Sequence, residues 1–181
     1  MTVFTDKAVK FIPVLMKDFS FSDEDAAAVF GNAGAETEGF KYFQEISPVV
    51  PGSAGGFGWF QWTGPRRRAF EAYCARNKLD PRSDEANYAF LFVELTGSEK
   101  KAVPAVKAAS GLYNKTVAFE KSFERAGIKA YDKRYKYAQE ALSAYRAKTP
   151  AVKPSTLIVT STFAGGALAA IVAVLQFFGI I

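Results

Sequence analysis

From Ser155 to Ile181 the chain carries no charged side chain. This run is longer than the roughly 20 apolar residues that span a bilayer core. Gly165, Gly166 and the alanines around them are tolerated in membrane helices. The run follows a proline-flanked linker, Thr149-Pro150-Ala151-Val152-Lys153-Pro154. The chain therefore divides into a folded domain over residues 1–148, a linker over 149–154 and a C-terminal transmembrane or anchor segment over 155–181. Lys148 and Lys153 lie on the N-terminal side of the apolar run and no charge follows it. The positive-inside bias would leave the folded domain in the cytoplasm once the tail inserts. A buried helix of a soluble core is the other reading of the same run.

Much of the 49% hydrophobic content sits in that tail. What precedes it is more polar, yet 17 Phe, 8 Tyr and 2 Trp in the whole chain supply enough apolar mass for a core and exclude disorder. The N-terminal region does not read as a secretory signal. Its longest apolar run, Phe11 to Met16, contains Pro13 and sits between Lys10 and Lys17. The expectation is synthesis in the cytoplasm and association with the inner membrane through the tail.

The absence of histidine removes much enzyme chemistry. His-ligated zinc hydrolases are excluded, as are Ser-His-Asp and Cys-His nucleophile systems. Cys74 is the only cysteine, so no intramolecular disulfide forms, and its helical context reads as a small buried hydrophobe. Acid–base work falls to Asp, Glu, Lys or Tyr. No metal or other cofactor is expected. The net charge of +5 suits nucleic acid, an anionic membrane face or an anionic polymer such as cell wall. No nucleic-acid-binding motif accompanies it, so nucleic acid is not expected.

Helical patterns dominate the domain. An amphipathic helix is expected from about Asp6, capped by Thr5, with Phe11, Leu15 and Phe19 at four-residue spacing. Ser22-Asp23-Glu24-Asp25 places a hydroxyl at a helix cap and acids in the first turn. That helix continues through Val29, Phe30 and Ala33, and Glu36 falls on the same face as Val29 and Ala33. A carboxylate there is either a functional acid on an apolar face or a helix-end residue that has reached solvent. Residues 46–65 read as loop or hairpin: Ser47 to Gly56 is dense in turn residues, and Phe57-Gly58-Trp59-Phe60-Gln61-Trp62-Thr63-Gly64 interleaves glycine with aromatics. Such a segment builds either a wall where a ligand nears the backbone or a bulged aromatic core hairpin.

Pro65 opens a further helix, with Phe70, Tyr73 and Cys74 at helical spacing. Asp84 or Glu85 opens the next, which contains Phe90, Val93 and Glu94. Glu94 reads as a buried structural acid with a partner such as arginine. A shorter helix is expected from Val117 to Ala126. Tyr131, Tyr135, Ala138, Leu142 and Tyr145 mark one face of a long helix, and Lys129, Lys133, Arg134, Lys136 and Arg146 read as its basic face, solvated or, as the lesser alternative, in contact with an anionic surface.

Two stretches carry a family resemblance. Gly31-Asn32-Ala33-Gly34-Ala35-Glu36-Thr37-Glu38-Gly39-Phe40 resembles the Gly-Asn-x-x-x-Glu-Ser-Gly-Phe signature of the phage tail-type lysozyme family. Gly55 to Arg67 resembles its second signature, Gly-Gly-Tyr-Gly-x-x-Gln-Trp-Thr-Gly-x-Arg-Arg. The likeness continues more loosely through Phe90-Leu91-x-x-Glu94-Leu95 and Phe119-Glu120-x-x-Phe123-Glu124-Arg125, covering about residues 22–145. It implies a mainly α, α+β lysozyme-like fold with a small β-hairpin beside the cleft. It also implies a peptidoglycan hydrolase of the endolysin type, made in a host bacterium, with a holin to help it reach the wall and no cofactor.

By that resemblance Glu36 occupies the catalytic glutamate position. Glu38, inserted between Thr37 and Gly39, is a second candidate. A glycosidic oxygen must be protonated by an acid that is still neutral near neutral pH, which a hydrophobic surround of Ala33, Phe40, Trp59, Phe60 and Trp62 would favour. Glycosidases usually employ a second carboxylate, and Glu45 and Glu38 are the candidates. Trp59 and Trp62 offer faces for sugar rings, Gln61 and Thr63 offer hydrogen bonds, and Phe57 and Gly58 complete the substrate-binding segment. Arg66, Arg67 and Arg68 meet either anionic wall groups or solvent. The reaction that the resemblance implies is hydrolysis of the N-acetylmuramic acid–N-acetylglucosamine bond. The alternatives are lytic transglycosylation of that bond, or a wall-binding module with a membrane-disrupting tail.

Overall fold

The computed structural model describes residues 1–48 and 53–149, so the 155–181 segment lies outside the described residues. Among those residues it contains seven α-helices: α1 (Val3–Phe19), α2 (Asp23–Thr37), α3 (Gly64–Asn77), α4 (Asp84–Thr96), α5 (Ala102–Ala108), α6 (Gly111–Phe119) and α7 (Tyr131–Lys148). A π-helical turn, Glu120–Glu124, follows α6 directly. No helix among the described residues is long and apolar enough to cross a membrane. The mainly helical expectation holds.

Helix α1 starts earlier than its pattern suggests. Thr2, not Thr5, is the cap: Thr2 Oγ1 accepts from Thr5 N at 3.2 Å, and Thr5 Oγ1 accepts from Thr2 N at 2.8 Å. This reciprocal pair satisfies two amides that a helix start would otherwise leave open. It also brings Phe4 into the core with Phe11, Ile12, Leu15 and Phe19.

Helix α2 is the centre of the domain. Its Ser22 cap forms a reciprocal box with Asp25. Residues 25–35 are all buried, as expected of a helix packed on every side. Its most extensive neighbour is α7, followed by α6 and α1. Gly31 makes the α7 approach possible, since an added Cβ there would sit 2.5 Å from the backbone N and Cα of Ala138.

The expected β-hairpin is not formed as strands among the described residues. Two isolated antiparallel bridges, Gln44–Phe57 and Phe57–Trp62, stand in its place. Gly58 and Gln61 both adopt positive φ and turn the backbone tightly between Phe57 and Trp62, and three aromatic side chains of this segment turn inward in different directions. Trp59 packs on Phe11, Phe30 and Phe40; Phe60 on Phe119 and Phe123; Trp62 on Phe70 and Phe90. The loop is a plug that joins α1–α2, the π turn and α3–α4.

The short helix expected over Val117–Ala126 is instead the end of α6 plus the π turn. The wider π turn stacks Phe119 on Phe123 at 4.6 Å and buries Glu120. Helix α5 had no counterpart in the sequence pattern.

Candidate active site

Glu36 is the penultimate residue of α2. The helix ends immediately after it, because Glu38, Gly39 and Phe40 all adopt positive φ. Thr37 stabilises that ending by donating to Ala33 O at 2.8 Å and accepting from Phe40 N at 2.9 Å. The Glu36 side chain is 21% exposed, neither sealed in the core nor loose in solvent.

Its carboxylate is held by Arg134 of α7, with Nη2 2.5 Å from Oε1. Arg134 is itself buried, and its other donors reach Asn32 Oδ1 at 3.0 Å and Lys129 O at 2.9 Å. Asn32 is in turn fixed by donating to Ala28 O and Thr116 O. Asn32 and Glu36 are four residues apart on one helix face, so a single guanidinium engages both. The sequence reading placed Arg134 on a solvated basic face, and the structure corrects it. The signal was present: Arg134 is three residues after Tyr131 and four before Ala138, on the inward stripe.

The surround of Glu36 is thus not simply apolar. Phe40, Trp59, Phe60 and Trp62 are core residues packed among other aromatics, while a cation touches the carboxylate.

A second buried ion pair lies on α3 and α4. Arg66 meets Glu94 through two 2.8 Å bonds, and Trp62 Nε1 donates to Glu94 Oε2 at 2.7 Å. Arg66 also donates to Phe123 O at 3.2 Å and lies over the Phe123 ring. Glu94 is therefore the arginine-paired structural acid that its position on an apolar helix implies.

Glu124, at the end of the π turn, was not singled out as a functional residue. Its Oε1 is buried without a hydrogen-bond partner among the described residues. Burial and the negative charge of Glu36 push its carboxyl well above the ordinary carboxylate range, against the opposing pull of Arg134 and Arg66; Glu94 adds to the rise.

The other candidates are committed elsewhere. Glu38 is exposed and paired with Lys133, not with the buried Arg134. Glu45 accepts from Gly56 N at 2.7 Å, and its own amide donates to Gly56 O, so it clamps the loop. Gln61, with φ of 44°, donates its side-chain amide to Gly58 O at 2.9 Å and Phe43 O at 3.2 Å. Trp59 and Trp62 are each 1% exposed, so neither presents a ring face to a sugar, contrary to the sequence expectation. Phe57 is buried as well. Gly58 is a packing glycine with φ of 81°, and a Cβ there would meet Asn87 Oδ1 at 2.6 Å and the Trp62 ring at 2.8 Å. Thr63 is exposed at the N-terminus of α3. Arg67 is tied to Glu71 and Gly55 O, while Arg68 is exposed. Cys74 is buried, and burial raises its thiol pKa, which makes it a poor nucleophile. Among the described residues no cluster of acids or cysteine has the makings of a metal site.

These features fall within a recognised family. A family model described as phage tail lysozyme matches residues 6–145, and the chain belongs to that family. The match begins within α1 and ends within α7, so it takes in Glu36, Arg134 and Glu124 together. No curated protein and no solved structure matches the chain. Membership assigns a lysozyme-like, peptidoglycan-lytic function in general terms.

Proposed function

We propose that this protein cleaves the β-1,4 bond between N-acetylmuramic acid and N-acetylglucosamine, with Glu36 as the general acid. Support comes from family membership and from the fit of Glu36 to the family's glutamate motif. The observation that carries the reading is local: Glu36 is partly open to solvent at the end of the most buried helix, and Arg134 and Asn32 fix its direction. Glu36 gives its proton to the bridging oxygen. The bond from that oxygen to C1 of the muramic acid breaks, and glucosamine leaves as an alcohol. In hydrolysis, water adds its oxygen to C1 and returns a proton to Glu36.

One observation favours a second reading. Glu45 and Glu38, the candidates for a second catalytic carboxylate, are held by Gly56 N and Lys133. A single-acid site suits a lytic transglycosylase, in which the muramic acid 6-hydroxyl closes on C1 and gives its proton to Glu36. Digestion of purified wall tests both. Glu36→Gln is expected to abolish cleavage while remaining folded, and full activity of that variant rejects Glu36. Mass spectrometry then separates reducing-end products from 1,6-anhydro products.

The tail from 155 to 181 completes the proposal as a membrane anchor, with a holin carrying the domain towards the wall. Truncation after Lys148 is expected to free an active enzyme from the membrane fraction. A truncated protein that stays membrane-bound rejects the anchor.

A further inference from the structure

Tyr135, Gln139, Leu142, Ser143 and Arg146 stand on successive turns along one side of α7. With Leu112 of α6 they line a surface groove of about 390 Å³. That volume is within the range of small-molecule sites, ~300–1,000 Å³. From Tyr135 to Arg146 the stripe runs roughly 16 Å along the helix. It starts one residue after Arg134, which holds Glu36, and leads to the last turn of α7, where Arg146 meets Asp23.

The polar groups of this groove are kept off the backbone. Helical hydroxyls elsewhere fold back: Thr37, Thr96, Thr116 and Ser122 each donate to the carbonyl four residues earlier. The helical asparagines Asn32, Asn77, Asn87 and Asn114 do the same. Gln139 and Ser143 are exposed and make no side-chain hydrogen bond among the described residues. Tyr113 packs edge-on against Tyr135, with ring centroids 5.2 Å apart at 83°, and fixes that ring in the groove. Leu112 and the buried Leu142 supply an apolar floor. At the far end Arg146 Nε donates to Asp23 Oδ2 at 2.8 Å, and Glu24 lies 3.9 Å from Nη2. Two carboxylates there face one guanidinium, so this end offers an anion no net positive charge.

An aromatic ring beside an amide, a hydroxyl and a guanidinium–carboxylate pair, without excess charge, matches a neutral polyhydroxy ligand. The ring and the leucines take the apolar face of a pyranose, and the polar groups take its hydroxyls and acetamido group. We propose that this groove binds the glycan backbone of the wall through its neutral N-acetylated sugars, at a site separate from Glu36. The inference rests on the reading of wall glycan as the substrate. That substrate is a polymer, so a second hold on it turns rebinding after each cut into an intramolecular step and keeps the enzyme on the wall.

The test uses the full chain in detergent micelles, carrying Glu36→Gln so that the sugar stays intact. The probe is the N-acetylglucosamine tetramer, with the Gln139 side-chain amide and the Tyr135 ring followed by NMR. Both signals should shift and saturate with the tetramer, while an acidic tetrapeptide of the wall type leaves them in place. In co-sedimentation with purified wall, adding Gln139→Ala and Ser143→Ala should weaken binding about tenfold, the loss of two hydrogen bonds. Both side chains are exposed, so the fold is not at stake. An unmoved Gln139 signal overturns the proposal, whether or not signals near Glu36 respond. So does a response to the peptide and not to the sugar, or undiminished wall binding by the double variant. Gln139 reports sugar binding whichever residue is the acid, so a failure of the function reading, seen as an active Glu36→Gln, remains separate.

Discussion

Replacing Gly31 with alanine adds one methyl group at the contact on which the site depends. The new Cβ would lie 2.5 Å from both N and Cα of Ala138 and 2.6 Å from its Cβ. Carbon atoms settle at about 3.5–4.0 Å, so α7 must retreat by roughly 1 Å. The atoms in the way are helix backbone and cannot rotate aside, which places the overpacking penalty near the top of its usual range, ~3 kcal/mol. Alanine returns ~1 kcal/mol of helix propensity relative to glycine. The net loss is ~2 kcal/mol, or a melting point lower by about 4–8 °C for a domain of this size. Arg134 lies one turn before Ala138, so the same retreat pulls on the Arg134–Glu36 contact. Wall-cleavage rate should therefore fall even well below the melting transition. Thermal unfolding followed by circular dichroism, with turbidity clearing of purified wall, measures both effects. Gly127→Ala is the control, since a Cβ there meets nothing within 4 Å. A Gly31→Ala protein that melts at or above the wild-type temperature would refute the close α2–α7 packing.

Two further outcomes follow from the buried ion pairs. Glu94→Gln leaves the Arg66 guanidinium without its carboxylate and should lower stability by about 3 kcal/mol, the low end for a broken buried pair because Arg66 retains some solvent access. Urea unfolding should show a lower midpoint at constant slope, and an unmoved midpoint would mean that the pair contributes little. The Asp25 carboxyl is raised by burial, but bonds from Lys115 and from the Ser22 backbone and hydroxyl outweigh this and leave it below its ordinary value. A lowered folded-state pKa gives stability that is complete above the unfolded value of about 3.9 and disappears as pH falls through the folded one. Asp25→Asn should remove that part of the acid slope in melting temperature below about pH 4; an identical slope would deny the pair its role.

The helix frame was legible because its signals are local. Ser22 and the acids after it mark the start of α2, and the Tyr131–Tyr145 stripe marks α7. The motif acid Glu36 and the arginine-paired Glu94 were legible for a related reason: a carboxylate on an apolar helix face needs an explanation. The partner of Glu36 was not legible. Arg134 comes from a helix about a hundred residues away, and its sequence neighbours Lys133 and Lys136 suggested solvent. The buried Oε1 of Glu124 was not legible either, because it is set by the π turn, and a π turn has no simple periodic signature. The tryptophans were misplaced because glycine beside aromatics has two physical meanings. Gly58 could have let a ligand approach, but its missing Cβ instead admits Asn87 and the Trp62 ring.

The plug and the acid site then belong to one mechanical unit. Trp59 fixes the loop to α1 and α2, Phe60 fixes it to the π turn, and Trp62 fixes it to α3 and α4 through Phe70, Phe90 and Glu94. The π turn is thereby held at the same loop that grips α2. Arg66 strengthens this by bonding Glu94 and Phe123 O at once. The buried side chains of the second signature therefore tie α1 and α2, the π turn and the α3–α4 pair to one loop. In a core this densely aromatic, displacement of one ring shifts its neighbours as well, so the position of α2, and with it Glu36, depends on the packing of these rings.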